Sequence, residues 1–121
     1  MNTDRGYLLL VEDEPALQET NTKILQRRGY HVKQACTLEE ARVCIDDAPP
    51  GGIILDLMLP DGSGLGFLKD LREYSDIPVL ILTALGSKDD IIRGFETGSD
   101  DYLIKPYDLP VFLMRVEAML S

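Results

Sequence analysis

Basic residues are scarce in this 121-residue chain: 12 Lys+Arg stand against 21 Asp+Glu, a formal net charge of −9. A domain this acidic is repelled by nucleic-acid phosphates and by anionic membranes, which excludes direct binding to either as a first reading. Long apolar runs are missing as well; the longest, Tyr7–Val11 and Val79–Leu82, fall far short of the ~20 residues of a membrane span. Met1–Gly6 carries no apolar core of an export signal. Cys36 and Cys44 are the only cysteines, too few for a disulfide framework, so a reducing, cytoplasmic location is the expectation. Both thiols are expected to be inert, and the single histidine, His31, to be a surface residue without a ligand partner. The length fits one domain, because two full cores rarely fit below about 200 residues. An apolar content of 45% is enough for a core and too high for a disordered acidic tail.

What the chain does have is a rhythm. Five short apolar runs, Tyr7–Val11, Tyr30–Ala35, Ile53–Leu55, Val79–Leu82 and Tyr102–Ile104, are each followed by a helix-like stretch. Starts near 7, 30, 52, 78 and 101 give spacings of 23, 22, 26 and 23 residues, about what a strand, a helix and two loops require. Four runs are continuously apolar, as in parallel strands buried on both faces; Tyr30–Ala35 alternates in part and reads as an edge strand. Helix starts are marked by Pro15, by a Thr37–Glu40 capping box, by Ser87 and by Asp108, and helix stops by Gly29 and Gly98. Leu65, Leu68 and Leu71 form one buried stripe, and Phe112, Leu113, Val116 and Leu120 another. Five βα units imply an open, doubly wound parallel sheet, because parallel crossovers are almost always right-handed.

Ligands of such sheets bind beyond the carboxyl ends of the strands. Here the first run ends in Glu12-Asp13-Glu14, the third in Asp56, the fourth in Thr83 and the fifth in Lys105-Pro106. Parallel strands would bring three carboxylates (Glu12, Asp13, Asp56), a hydroxyl and an ammonium to one edge. Taken singly, each has an ordinary reading: a solvated loop, a helix cap, a turn residue beside Pro60, Asp61 and Gly62, a strand terminus, a surface charge. Jointly they supply what phosphoryl transfer needs. Clustered carboxylates repel one another unless a cation sits among them, and an all-oxygen set suits Mg²⁺ or Mn²⁺ and not zinc.

The segments Leu10–Glu14, Ile54–Gly62, Ile81–Ala84 and Asp101–Pro106 make the chain closely resemble the receiver domain of a two-component response regulator, over essentially residues 1–121. The resemblance implies a flavodoxin-like (βα)5 fold with strand order 2-1-3-4-5, the order that receiver domains share with flavodoxin. It also implies a switch and not an enzyme proper. Asp56 would accept a phosphoryl group from a sensor histidine kinase. Glu12, Asp13, Asp56 and the Met58 backbone carbonyl would hold Mg²⁺, Lys105 would pair with the phosphoryl oxygens, and the Lys105–Pro106 bond would be cis. Thr83 would then bond the phosphoryl group, and Tyr102 would be the switch aromatic; its ordinary alternative is a half-buried strand tyrosine with a wet hydroxyl.

Asp100-Asp101-Tyr102 with Lys105-Pro106 resembles in particular the OmpR/PhoB branch of transcriptional regulators, whose active receivers dimerise through the fourth helix, fifth strand and fifth helix. On that resemblance Asp101 and Arg115 would form an ion pair across a homodimer, with Asp100, Arg93 and Lys88 on a charged rim. Ile91 and Val111 stand where relatives commonly place an Arg–Glu pair; if both are exposed, an apolar contact would replace it. The branch also implies a DNA-binding output domain beyond Ser121, so that any contact with DNA would be made there. A stand-alone receiver acting through protein contacts is the alternative. A haloacid dehalogenase-type phosphatase requires a general-acid aspartate two residues after the nucleophile, where this chain has Met58, and a flavodoxin requires a phosphate loop where this chain has carboxylates.

Overall fold

In the computed structural model, which describes residues 6–121, strand and helix alternate five times. Met1–Arg5, most of the amino-terminal stretch that lacks an export-signal core, lies outside the described residues. The elements are β1 (Leu8–Val11), α1 (Pro15–Arg27), β2 (Val32–Ala35), α2 (Leu38–Asp47), β3 (Gly52–Leu55), β4 (Met58–Leu59), β5 (Gly62–Ser63), α3 (Gly64–Arg72), β6 (Val79–Thr83), α4 (Lys88–Thr97), β7 (Asp101–Ile104) and α5 (Leu109–Leu120). One parallel sheet has the order β2-β1-β3-β6-β7, which is 2-1-3-4-5 when only its own strands are counted. β4 and β5 form a separate two-residue antiparallel ribbon in the segment read from sequence as a plain turn. No helix among the described residues is long and apolar enough to cross a membrane.

Alternate residues of each strand point to opposite faces, which is why the central strands must be apolar throughout. One face sends Leu9, Val11, Ile53, Leu55, Val79 and Ile81 against Leu38, Ala41 and Ile45 of α2 and Phe67, Leu68 and Leu71 of α3. The other sends Leu8, Leu10, Ile54, Leu80 and Leu82 against Leu25 of α1 and Phe112 and Val116 of α5. Burying each such side chain contributes roughly 1.5–3 kcal/mol, so the two layers clamp the sheet and hold its strand ends in register.

Two expectations need correction. The run Tyr102–Ile104 is not buried on both faces: β7 is the outer strand, Tyr102 is buried, Leu103 is half-covered and Ile104 is exposed. An apolar edge strand reads like an interior one because composition does not record whether a neighbour exists. The capping box is also displaced. Thr37 Oγ1 accepts from the Glu40 N–H at 3.0 Å, but the Glu40 carboxylate accepts from the Cys36 N–H at 2.7 Å, one residue beyond the expected partner. The first two amides of α2, Leu38 and Glu39, are instead taken by Asp61 from the ribbon turn. The other helix signals stand as read: Pro15 starts α1, Ser87 and Asp108 cap α4 and α5, and Gly29 and Gly98 follow the ends of α1 and α4 with φ of 92° and 119°.

Candidate functional site

The parallel register sets the carboxyl ends of four strands side by side. The Asp56 N–H donates to the Val11 carbonyl at 3.1 Å, tying the end of β3 to the end of β1. The Lys105 N–H donates to the Thr83 carbonyl at 2.8 Å, tying the segment after β7 to the end of β6. Residues far apart in sequence thereby share one rim.

At its centre the Lys105 ammonium donates to Glu12 Oε1 at 2.7 Å and to Asp56 Oδ2 at 3.0 Å. The second oxygen of each acid is also held: Asp56 Oδ1 accepts from the Met58 N–H and Glu12 Oε2 from the Glu14 N–H, both at 3.1 Å. Glu12 and Asp56 are nearly closed off, with side chains 3% and 7% exposed, whereas Asp13 faces solvent. Burial pushes the Glu12 carboxyl up despite its bond to Lys105, because the cost of desolvating it outweighs half a share of one ammonium. Burial pulls Lys105 down, but its bonds to Glu12 and Asp56 outweigh that pull and hold its pKa above the ordinary value.

One oxygen from each of Glu12, Asp13 and Asp56 lies within 4.8 Å of the others. Three carboxylates against one ammonium leave the rim with an excess of negative charge. All-oxygen donors, one of them open to solvent, fit a hard divalent cation of the Mg²⁺ class.

Around this centre, Thr83 is fully buried at the end of β6, and its Oγ1 accepts a long 3.5 Å contact from the Leu85 N–H. The Met58 side chain is exposed while its N–H faces Asp56, and the Lys105–Pro106 peptide is cis. Tyr102 is 8% exposed, and its hydroxyl donates to the Leu85 carbonyl at 2.5 Å. Burial, aided by the charges of Asp90 and Asp56, pushes its phenol up.

The dimer-face expectations fare differently. Arg115 Nη1 meets Asp101 Oδ1 at 2.7 Å within one chain. Asp100 is likewise engaged internally: its Oδ2 accepts from Arg72 Nη2 at 3.2 Å and from the Val79 N–H at 2.8 Å. Lys88 and Arg93 are exposed. Ile91 and Val111 are both half-buried, and Ile91 packs on the α2/α3 core, so neither is fully exposed on that face. The helical period turns Ile91 inward with buried Gly94, and leaves Ile92 and Phe95, with Ile104, Leu109 and Met114, as the exposed large apolar residues of α4, β7 and α5. His31 and Cys36 are exposed and Cys44 half-buried, with both thiols free.

Sequence reasoning missed three supports of the rim. The Gln18 carboxamide, buried in α1, donates to the carbonyls of Glu12 at 3.0 Å and Ala35 at 3.1 Å, pinning the ends of β1 and β2 together. Tyr107, after the cis peptide, donates to Asn21 of α1, and burial pushes its phenol up. Asp61 reaches α2. The available signal was the polar set Gln18, Asn21 and Thr22 at the spacing of the buried stripe of α1 that ends in Leu25.

The family model described as response regulator receiver domain matches residues 8–117. The phosphate regulon transcriptional regulatory protein PhoB of Escherichia coli is 39% identical over 116 residues, covering 93% of this chain and 51% of PhoB. The DNA-binding dual master transcriptional regulator RpaA of Synechocystis is 41% identical, covering 93% of this chain and 48% of RpaA. The chain spans about half the length of these curated relatives. Among solved structures, the beryllofluoride-activated receiver domain of Klebsiella pneumoniae RstA superposes with a TM-score of 0.91 at 28% identity, covering 96% of this chain and 99% of that one. The non-phosphorylated receiver domain of Leptospira biflexa HemR gives 0.88 at 36% identity, covering 95% and 94%.

Proposed function

The chain belongs to the response regulator receiver domain family, and from that premise we propose that it is a phosphorylation-dependent signalling switch whose phosphoacceptor is Asp56. A carboxylate oxygen of Asp56 attacks the phosphorus of a phosphohistidine on a sensor kinase; the new O–P bond forms as the N–P bond breaks, and the imidazole leaves with its electron pair. The observation that carries this reading is the Lys105 ammonium bridging Glu12 and Asp56, a cation already seated where an anionic phosphoryl group must arrive.

Glu12, Asp13 and Asp56, with the Met58 carbonyl, are the residues proposed to hold Mg²⁺ or Mn²⁺. When bound, the ion supplies positive charge that offsets the repulsion between an attacking carboxylate and a phosphoryl group. Lys105 keeps the acceptor oxygen oriented and pairs with the phosphoryl oxygens after transfer. Thr83 supplies the contact that differs between states, its hydroxyl turning from the long Leu85 contact to the phosphoryl group. A hydrogen bond to a charged group contributes roughly 1.5–3 kcal/mol. Lys105 already bonds Asp56, so the two residues together give a difference toward the lower end of about 3–6 kcal/mol, against ~5.5 needed to invert a 1:99 population.

The output proposed is homodimerisation through the α4–β7–α5 face and, through an attached DNA-binding domain, control of transcription in the cytoplasm. The names of PhoB and RpaA support the transcriptional part, and the solved beryllofluoride-activated NtrC4 receiver domain is a dimer. Incubation with acetyl phosphate and Mg²⁺, followed by intact mass and peptide mapping, tests the centre of the reading. One phosphoryl adduct on Asp56 is expected, absent with chelator and absent in Asp56→Asn. An adduct elsewhere, or none, overturns it.

A further inference from the structure

We propose that Asp61 is a positioning residue for the divalent-cation site, holding the ribbon that carries Met58 against the amino terminus of α2. This rests on the reading of Glu12, Asp13, Asp56 and the Met58 carbonyl as that site. Asp61 lies in the turn between β4 and β5, five residues beyond Asp56. An aspartate in a turn ordinarily bonds its own backbone. This one reaches 23 residues back: Oδ1 accepts from the Leu38 N–H at 2.9 Å and Oδ2 from the Glu39 N–H at 3.1 Å. A helix leaves its first amides without intrahelical partners and concentrates partial positive charge there, so a carboxylate taking two of them makes an oriented, charge-assisted contact. Those two bonds hold the Asp61 carboxyl below the ordinary aspartate range, the Leu38 N–H being the largest cause.

The ribbon has an inner and an outer anchor. At the inner end the Met58 N–H donates to Asp56 Oδ1, and the Gly64 N–H donates to the Leu57 carbonyl at 2.9 Å. Gly64 lies so close to the preceding strand that a Cβ there would meet the Asp56 carbonyl oxygen at 2.5 Å. At the outer end stand the two Asp61 bonds, and Gly62 runs beside α2 closely enough that a Cβ there would lie 3.4 Å from Leu38 Cδ1. Strands of two residues do not hold themselves in place. The Met58 backbone, two residues beyond Asp56 and three before Asp61, is therefore set by Asp56 from inside and by Asp61 from outside. Such linkage is reciprocal: a cation that fixes Met58 must also fix the Asp61–α2 contact.

The test is a Mg²⁺ titration of the full chain followed by amide and carboxylate chemical shifts, with exchange rates of the Leu38 and Glu39 amides. Groups that hold a metal ligand without touching the metal cost about 10–100-fold in affinity when removed, and one outer anchor predicts about tenfold for Asp61→Ala. Asp61→Asn, which keeps one acceptor, is expected between Asp61→Ala and the unaltered chain, and it carries the test if Asp61→Ala fails to fold. Thr37→Ala removes the cap of α2 without touching the ribbon, so it should lower stability and leave Mg²⁺ affinity unchanged. Mg²⁺ should slow exchange of Leu38 and Glu39 in the unaltered chain and not in Asp61→Ala. Equal affinities in Asp61→Ala and the unaltered chain, or an equal loss in Thr37→Ala, overturn the positioning role and leave the cation site standing. Absence of Mg²⁺-dependent shifts at Glu12, Asp13 and Asp56 in the unaltered chain overturns the site and this role with it.

Discussion

Tyr102 and Leu85 are joined by a hydroxyl-to-carbonyl bond of 2.5 Å, and the N–H of that same Leu85 faces Thr83 Oγ1 at 3.5 Å. One backbone residue in the loop after β6 therefore touches both the buried Thr83 hydroxyl at the carboxylate rim and the Tyr102 hydroxyl at the outer strand of the sheet. If Thr83 turns to a phosphoryl group, Leu85 loses a partner on one side while Tyr102 holds it on the other. The ring is seated because α4 presents Gly94 beneath it: a Cβ there would lie 2.9 Å from Tyr102 Cδ2 and Cε2 and 3.1 Å from Ile81 Cδ1.

Gly94→Ala consequently sets two effects against each other. The substitution favours helix by about 1 kcal/mol and overpacks the ring by about 1–3 kcal/mol. A net destabilisation of about 1 kcal/mol is expected in urea denaturation. In a Tyr102→Ala background the ring clash is gone, the Ile81 Cδ1 atom 3.1 Å away has the vacated space to move into, and the same substitution should stabilise. A change of the same sign in both backgrounds would mean that the ring is not what requires a glycine there.

Asp100 and Arg115 look alike as surface charges and should behave differently. Arg115 contributes one pair to Asp101 with its own side chain 45% exposed, so Arg115→Ala should cost under about 1 kcal/mol. Asp100 takes the N–H of Val79, a fully buried residue, and sits in a set of bonds that Arg72 extends to the carbonyls of Gly98 at 2.8 Å and Ser75 at 3.1 Å. Removing it strands a donor at the start of a central strand, and Asp100→Ala should cost about 1–3 kcal/mol by the same denaturation measurement. Equal costs would refute the distinction.

The rim itself is legible in sequence because each of its residues directly succeeds an apolar run: Val11 precedes Glu12, Leu55 precedes Asp56, Leu82 precedes Thr83 and Ile104 precedes Lys105. Strand direction then does the rest, since a parallel sheet gathers the residues at its carboxyl ends along one edge. Contacts that depend on a second element's position are not legible in this way. Asp61 finds α2, and Gln18 finds the ends of two strands, through packing that no local period encodes. The residues of α4 illustrate the same limit at finer scale. Ile91 and Ile92 are adjacent and chemically identical, and a rotation of about 100° per residue decides which one is covered. Whether Asp101 pairs with Arg115 of its own chain or of a neighbour is likewise a matter of distance and not of residue type.

Acid should erase the contribution of Asp61. Its carboxyl titrates below the ordinary aspartate value of about 3.9, because the ionised form accepts the Leu38 and Glu39 amides. A group depressed on folding stabilises fully above its unfolded value, and that stabilisation is lost as pH falls through the folded one. The gap in urea midpoint between the unaltered chain and Asp61→Ala should be constant down to about pH 4 and then narrow. Arg42, which adds to the depression, loses its charge partner in Asp61→Ala, so the comparison is repeated in an Arg42→Ala background, where the remaining gap belongs to the two amide bonds. A gap that stays constant to the acid limit of folding would show that the charge of Asp61 is not what bonds α2.

On the reading of Glu12, Asp13 and Asp56 as a divalent-cation site, Lys105 competes with the cation for the same oxygens, which fixes the sign of a last expectation. Its ammonium lies 2.7 Å from Glu12 and 3.0 Å from Asp56, acids whose side chains are 3% and 7% exposed. Removing one partner of a buried pair costs about 3–5 kcal/mol. Lys105 is itself 19% exposed, and solvent near its end lowers the expectation for Lys105→Met to about 2–3 kcal/mol in the presence of chelator. Mg²⁺ bound only by the folded chain stabilises by RT ln(1 + [Mg²⁺]/Kd), and the variant presents the same carboxylates without an internal counter-charge. Added Mg²⁺ should therefore raise the urea midpoint of Lys105→Met by more than that of the unaltered chain, recovering part of the loss. An equal rise in both would mean that the ammonium and the cation do not share Glu12 and Asp56, and the electrostatic account of the rim would have to be redrawn.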